Sequence, residues 1–203
     1  MTTRRRFVSI LAGSAALSPL ASLGNAATAP AVSVWKGVAM GAQASMTIVH
    51  PERAKAQALI RTCCAEIERL EAILSLYRPD SALSRLNAGG ELREPPAELV
   101  ELLSFALALA RHSAGAFDPT VQPLWRLYAD HFAAPDAPAA GPTREAIARV
   151  LRAVDYRKVQ VGADRIRLHS PGMALTLNGV AQGYVTDRVI ELLRAAGFDD
   201  VLV

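Results

Sequence analysis

Between Pro51 and about Leu76, apolar residues recur at three- and four-residue steps. Leu59, Ile60, Cys63, Ile67, Leu70 and Leu74 share one face, with Glu and Arg residues on the other, which predicts one long amphipathic helix. Upstream, Val32 to Val49 reads as two strand-like runs around Gly37 and Gly41. Downstream, Pro79 stops the long helix in a polar turn, Tyr77-Arg78-Pro79-Asp80-Ser81. Ser81 is placed to cap a short helix reaching Leu86, before Asn87 and Gly89-Gly90 break the chain. Pro95-Pro96 opens another helix through about Ser113, ended by Gly115. Ala133 to Pro142, rich in Ala and Pro, reads as an exposed loop, and Thr143 to Val154 as a short helix. Lys158 to Val161 and Arg165 to His169 form a hairpin pattern around Gly162-Ala163-Asp164. From Ala174 onward the pattern is a strand, a glycine-bracketed loop, a helix and the start of another strand. In that helix Val185, Val189, Leu192 and Leu193 face inward and Gly197 closes the C-terminus. Helices come first and strands cluster late, which predicts a single α+β domain with an antiparallel sheet and flanking helices, without the alternation of a doubly wound sheet.

The chain has 203 residues, 51% of them hydrophobic and 20% charged, so it is long enough for a domain with a real core and is globular in composition. Of its 22 basic residues three are Arg4, Arg5 and Arg6, and the other 19 match the 19 acidic ones. Outside that cluster the chain is neutral, which argues against nucleic acid as a partner. The arginines open an address. They precede an uncharged, moderately apolar stretch, Phe7 to Leu23, interrupted by Pro19, and then the small residues Gly24-Asn25-Ala26. This is the pattern of a twin-arginine export signal, residues 1–26, with Ala27 starting the mature portion, 27–203, in the periplasm or against the inner membrane. The two cysteines, Cys63 and Cys64, are adjacent and lie in the helical pattern; a buried thiol fits better than a disulfide or a metal site.

Four patches beside regular elements carry candidate chemistry. Ala39-Met40-Gly41-Ala42 sets a methionine between small residues, able to lay its thioether on a planar ring or simply to let strands pack closely. Tyr77, at the end of the long helix, offers a ring and a hydroxyl, though a capped turn also explains the polar residues around it. In Gly115-Ala116-Phe117-Asp118-Pro119-Thr120, Asp118 precedes proline and is biased to extended backbone. Its carboxylate either meets a ligand or caps the turn through Thr120. Thr176-Leu177-Asn178-Gly179-Val180-Ala181-Gln182-Gly183 places glycines at a helix start, where backbone amides can approach a phosphate. Its spacing is neither a dinucleotide fingerprint nor a P-loop.

In order along the chain, the four patches resemble the ApbE-type FAD:protein FMN transferases. Ala39-Met40-Gly41 resembles the family's A-M-G-T, with Ala42 for threonine, and Tyr77 to Asn87 resembles S-x-Y-x-x-x-S-x-[IL]-x-x-[IL]-N. Gly115 to Val121 with Pro123-Leu124 resembles G-x-F-D-x-T-V-x-P-L, and Leu177 to Asp187 resembles D-L-S-x-I-A-K-G-Y-x-x-D. The resemblance implies an exported enzyme that moves FMN from FAD to a threonine or serine hydroxyl of an acceptor flavoprotein, releasing AMP with Mg²⁺ bound. It implies that Met40, Tyr77, Ala116, Phe117, Asp118, Thr176 and Gln182 contact FAD, and that Gly179 serves the metal through its carbonyl. It identifies no catalytic residue.

Two departures qualify those roles: Thr176 stands where the family has aspartate, and Gln182 where it has lysine. The variant is most similar to the NosX-like branch that accompanies nitrous-oxide reductase maturation, which implies a NosR-like membrane protein as acceptor. It also keeps open a non-catalytic, flavin-binding maturation factor. Family members continue for roughly another hundred residues, a length within ordinary domain sizes. That region carries an H-x-I-D-P-x-T-G motif and Asp and Thr metal ligands, so the 203-residue piece is expected to be inactive by itself.

Overall fold

A computed structural model describes residues 8–13, 31–198 and 200–202. Arg4, Arg5, Arg6 and the Gly24-Asn25-Ala26-Ala27 junction lie outside the described residues. The strands are β1 (Val8–Gly13), β2 (Ala31–Ala39), β3 (Ala42–His50), β4 (Glu91–Arg93), β5 (Val159–Val161), β6 (Arg165–Leu168) and β7 (Asp200–Leu202). The helices are α1 (Arg53–Leu74), α2 (Ala82–Gly89), α3 (Ala97–His112), α4 (Gln122–Ala133), α5 (Arg144–Leu151) and α6 (Ala181–Ala195). The chain is α+β and divides into two compact units, residues 1–71 with 182–203, and residues 72–181.

The first unit holds a four-stranded sheet in the order β2-β3-β1-β7, with β2 antiparallel to β3, β1 parallel to β3 and β7 antiparallel to β1. Ala39 pairs with Ala42, so the β2–β3 hairpin turns on two residues, Met40 and Gly41. Both have positive φ, 51° and 74°, as a two-residue primed turn requires. Glycine adopts that conformation freely, whereas methionine in it costs on the order of 1–3 kcal/mol. The Met40 amide answers this by donating to Glu71 Oε1 at 2.6 Å. Gly37, expected to separate strand-like runs, lies inside β2: a Cβ there would sit 2.4 Å from the Trp35 indole, so the glycine makes room for the ring.

Helix α1 buries Ala56, Cys63, Ile67, Leu70 and Leu74, while Leu59 and Ile60 are half-buried. Burial pushes the Cys63 thiol up to about 11, with the neighbouring Cys64 adding to it, so Cys63 stays a protonated core group. Helix α6 turns Val185, Val189 and Leu193 inward, and Gly197 ends its chain direction with φ 88°.

The second unit holds the antiparallel sheet β4-β6-β5. Leu92, Ile166 and Leu168 enter the core, where α3 adds Leu99, Leu102, Leu103, Ala106 and Leu107. Glu91 lies directly opposite Arg167, and Arg167 Nε donates to its carboxylate at 2.7 Å. That guanidinium holds the Glu91 carboxyl below the usual range. Ser81 caps α2 as the sequence predicts, accepting from the Ser84 amide at 3.0 Å while donating to the Ser75 carbonyl at 2.6 Å.

Three elements differ from the sequence expectation. Strand β4 is too short to show a period. Helix α4 is not among the sequence expectations, although Trp125, Tyr128 and Phe132 recur at i, i+3 and i+7; its one buried residue is Gln122 and its aromatic residues face outward. Ala174 to Leu177, expected as a strand, is an unpaired extended segment. Its ladder partner is a side chain: Asn87 Nδ2 donates to the Leu175 carbonyl at 2.9 Å, and the Leu175 amide donates to Asn87 Oδ1 at 2.7 Å. The amide group of asparagine reproduces both halves of a peptide and so closes the pair that a strand would. Thr176 is tied next, its amide donating to the Pro119 carbonyl at 2.8 Å.

Two stability effects follow from these bonds. Glu71→Ala strands the Met40 amide, and urea unfolding should lose about 1–3 kcal/mol. Asn87→Ala strands both backbone groups of Leu175; about 2–3 kcal/mol should be lost, with faster hydrogen exchange at Leu175 and Thr176. Asn87→Asp keeps the acceptor and should fall between the parent and Asn87→Ala.

Candidate functional site

The sequence-predicted residues fall into two groups, one in each unit. In the second unit, Ala116, Phe117, Asp118, Thr176 and Gly179 line one open pocket of about 580 Å³, together with Trp125, Leu151 and Asn178. That size is within the range of small-molecule sites. In the first unit, Met40 and Gln182 border a small apolar cavity of about 30 Å³ between the β2–β3 hairpin and α6. Met40 is only 6% exposed there, so its thioether is a core contact in this structure. Tyr77 lines neither space; it is 60% exposed, and its amide donates to Ser75 Oγ at 3.1 Å in the turn that Ser81 caps.

The wall of the larger pocket is built from a helix end. After α3, Ala114 and Gly115 take φ 52° and 85°, reversing the chain. Ser113 Oγ then accepts from the Phe117 amide at 3.0 Å, which sets the ring position. Gly179 sits against that ring: a Cβ on it would come within 3.1 Å of Phe117 Cε2. The Thr176-to-Gly179 loop and the Phe117 wall therefore touch at a contact with no spare room.

Asp118 is extended, as its position before Pro119 predicts, with φ −137° and ψ 114°. Its carboxylate is largely used by the protein. Oδ1 accepts from the Thr120 amide at 2.8 Å and from the Thr120 hydroxyl at 2.6 Å, and Oδ2 accepts from the Tyr156 amide at 3.2 Å. The capping alternative is thus realised, while Asp118 still borders the pocket. The buried Thr120 hydroxyl also accepts from the Asp155 amide at 2.9 Å, so one chain of bonds joins the start of α4 to the turn after α5. Asp155 is held in turn by Arg157, whose guanidinium keeps that carboxyl below its ordinary range. Asp155 and Tyr156 brace Asp118 and Thr120 from behind the pocket without any motif of their own; only the folded chain brings them there.

The turn into α6 is closed by donors of its own backbone. The Val180 and Ala181 amides both donate to the Leu177 carbonyl, at 2.9 and 2.7 Å, and the Asn178 amide donates to Thr176 Oγ1 at 3.3 Å. Those donors close the turn and are not directed at an anion. The Mg²⁺ that the resemblance implies also finds no ligand set: Gly179 offers only a carbonyl, and among the described residues no three His, Cys, Asp or Glu side chains come together. A hard cation takes about six oxygens, so the described residues do not by themselves fit it.

Several known proteins are similar to this chain in sequence or in fold. An FAD:protein FMN transferase of Treponema pallidum (strain Nichols) is 37% identical over 145 residues, 68% of this chain and 39% of that protein. One from Klebsiella pneumoniae (strain 342) is 28% identical over 184 residues, 88% of this chain and 52% of its own. Among solved structures, the apo form of the Pseudomonas stutzeri flavinyl transferase ApbE superposes with a TM-score of 0.71 at 27% identity, covering 85% of this chain and 55% of that one. The Vibrio cholerae flavin transferase ApbE matches in fold, with a TM-score of 0.72 at 23% identity over 85% of this chain and 56% of that chain. The chain spans about half the length of the curated relatives it matches. The model of the ApbE family matches residues 40–203, which takes in both groups of candidate residues, and the chain belongs to that family.

Proposed function

We propose that the protein containing this chain is an exported flavin transferase, moving FMN from FAD to a threonine or serine hydroxyl of an acceptor protein. The observation that carries the reading is the pocket of about 580 Å³ that gathers Ala116, Phe117, Asp118, Thr176 and Gly179 from two distant motifs of one family. In the reaction, the acceptor oxygen attacks the FMN-side phosphorus of the FAD pyrophosphate. A new phosphoester P–O bond forms and the P–O bond to AMP breaks. AMP leaves as a monophosphate, and the hydroxyl proton passes to solvent or to that leaving group.

The chain's own contribution is shape and position. Phe117 supplies an apolar wall, and Gly179 keeps the opposite loop close to it. Asp118, fixed by Thr120 and Tyr156, offers its remaining acceptor capacity at the pocket edge. Thr176 and Asn178 offer neutral polar groups in place of the family's aspartate side. A bound Mg²⁺ would neutralise charge on the pyrophosphate, and it would need carboxylate ligands beyond the Gly179 carbonyl. Export through the twin-arginine route fits such a protein, because that route carries folded chains, and a membrane-bound, NosR-like electron-transfer protein fits as acceptor.

Two measurements test this. The intact protein, incubated with FAD, Mg²⁺ and an acceptor that a related transferase labels, should give covalent flavin on the acceptor and one AMP per label. Tight FAD binding with no label would instead support the flavin-binding maturation factor. Replacing Arg4, Arg5 and Arg6 with lysine should leave the precursor in the cytoplasm, read by fractionation; undiminished export would rule out the twin-arginine route.

A further inference from the structure

Helix α4 presents an apolar stripe to solvent. Trp125, Tyr128 and Phe132, at i, i+3 and i+7, are 57%, 38% and 55% exposed. Leu151, at the end of the adjoining α5, adds another large side chain at 46% exposure. Three such aromatics on one helix face are an exception to the ordinary scatter of single apolar surface residues. The stripe is also stiffened: Phe132 meets His131 edge-on with ring centroids 4.9 Å apart, and Gly141, with φ 84°, brings its backbone against Tyr128 and Phe132. His131 Nε2 lies 2.9 Å from the Pro138 carbonyl, which ties the loop after α4 back onto the helix. Rigid aromatic side chains of this kind bind with little loss of rotamer freedom.

Two features say what covers the stripe. One end of it is the pocket: Trp125 and Leu151 are both lining residues, so whatever lies along Tyr128 and Phe132 leads into the space bounded by Phe117 and Gly179. The other feature is charge. Arg126 follows Trp125 in the chain, and Arg149 and Arg152 flank Leu151; all three are exposed, and no ion pair holds any of them among the described residues. Asp130 and Glu145 lie farther from the pocket end: in a helix rising 1.5 Å per residue, Asp130 is about 7 Å beyond Trp125 and Glu145 about 9 Å from Leu151.

We infer that this stripe is the docking track for the acceptor protein, taking a segment with apolar side chains and acidic neighbours whose hydroxyl residue enters the pocket. The inference rests on the flavin-transfer reading. The exposed area of the four side chains is on the order of 400 Å², well short of the ~800 Å² per partner of a stable interface. A small track suits a substrate that must leave after each transfer, and it is too small to hold two copies of the chain together by itself.

The test uses the full-length protein, FAD, Mg²⁺ and the acceptor that the unmutated protein labels. The double variant Tyr128→Ser/Phe132→Ser alters only side chains outside the pocket lining, so its FAD affinity, read by flavin fluorescence, should match the parent's. Its labelling at low acceptor concentration should fall at least tenfold through a raised KM, with kcat nearly kept. A second variant, Arg149→Glu/Arg152→Glu, leaves the rings in place and should lower labelling in the same way, with a weaker dependence on salt. Equal labelling by both variants and the parent overturns the docking track and leaves the transfer reading standing. Absence of label with the parent, in contrast, overturns the transfer reading. A parent that sediments as a dimer, converted to monomer by Tyr128→Ser/Phe132→Ser with labelling unchanged, would assign the stripe to self-association and also overturn the proposal.

Discussion

The larger pocket depends on a side chain doing the work of a strand. Asn87, just inside the end of α2, exchanges two hydrogen bonds with the backbone of Leu175 and so holds an extended segment that has no ladder of its own. Everything downstream takes its position from that clamp: Thr176 tied to the Pro119 carbonyl, the Leu177 carbonyl closing the turn, and Gly179 set against the Phe117 ring. A true strand pair would have repeated along the segment and fixed all of it. A single asparagine fixes one residue and leaves the following loop facing the pocket, where polar groups and backbone remain close to whatever enters.

The opposite wall follows a similar economy. Asp118 is a ligand candidate by its place in the motif, yet its carboxylate also organises the start of α4 through Thr120 and the turn after α5 through Tyr156. Structural and binding roles are compatible in one carboxylate, because two oxygens have roughly four acceptor positions and three are occupied here. Because the same group braces α4, the pocket wall and the aromatic stripe share a support, which couples the proposed acceptor track to the candidate flavin site.

In the first unit the corresponding device is strain. The β2–β3 turn places Met40 in left-handed backbone, held by the Glu71 carboxylate and by burial of its side chain. Backbone held in a costly conformation by its surroundings is common where a protein organises a site, and Met40 belongs to the first of the four motifs. The small cavity next to it, bordered by Gln182, is apolar and only about 30 Å³, so in this structure the residue acts as packing.

Local chemistry alone determined much of this protein. The three-four period set α1 and α6, Ser81 announced its cap, Gly197 its helix end, and Gly162-Ala163-Asp164 the β5–β6 hairpin. The four motifs in order were enough to name the family, because each is a contiguous run whose residues act together. What depends on distant partners was not legible. Asn87 and Leu175 are far apart in sequence, as are Thr120 and Asp155, and nothing in either segment marks its partner. Helix α4 carries a helical period in Trp125, Tyr128 and Phe132, but the sequence did not tell that this face is turned outward and not into the chain's own core. Only the tertiary structure could show that a side chain replaces a strand, that Asp118 is already engaged, and that an exposed aromatic row begins at the pocket mouth.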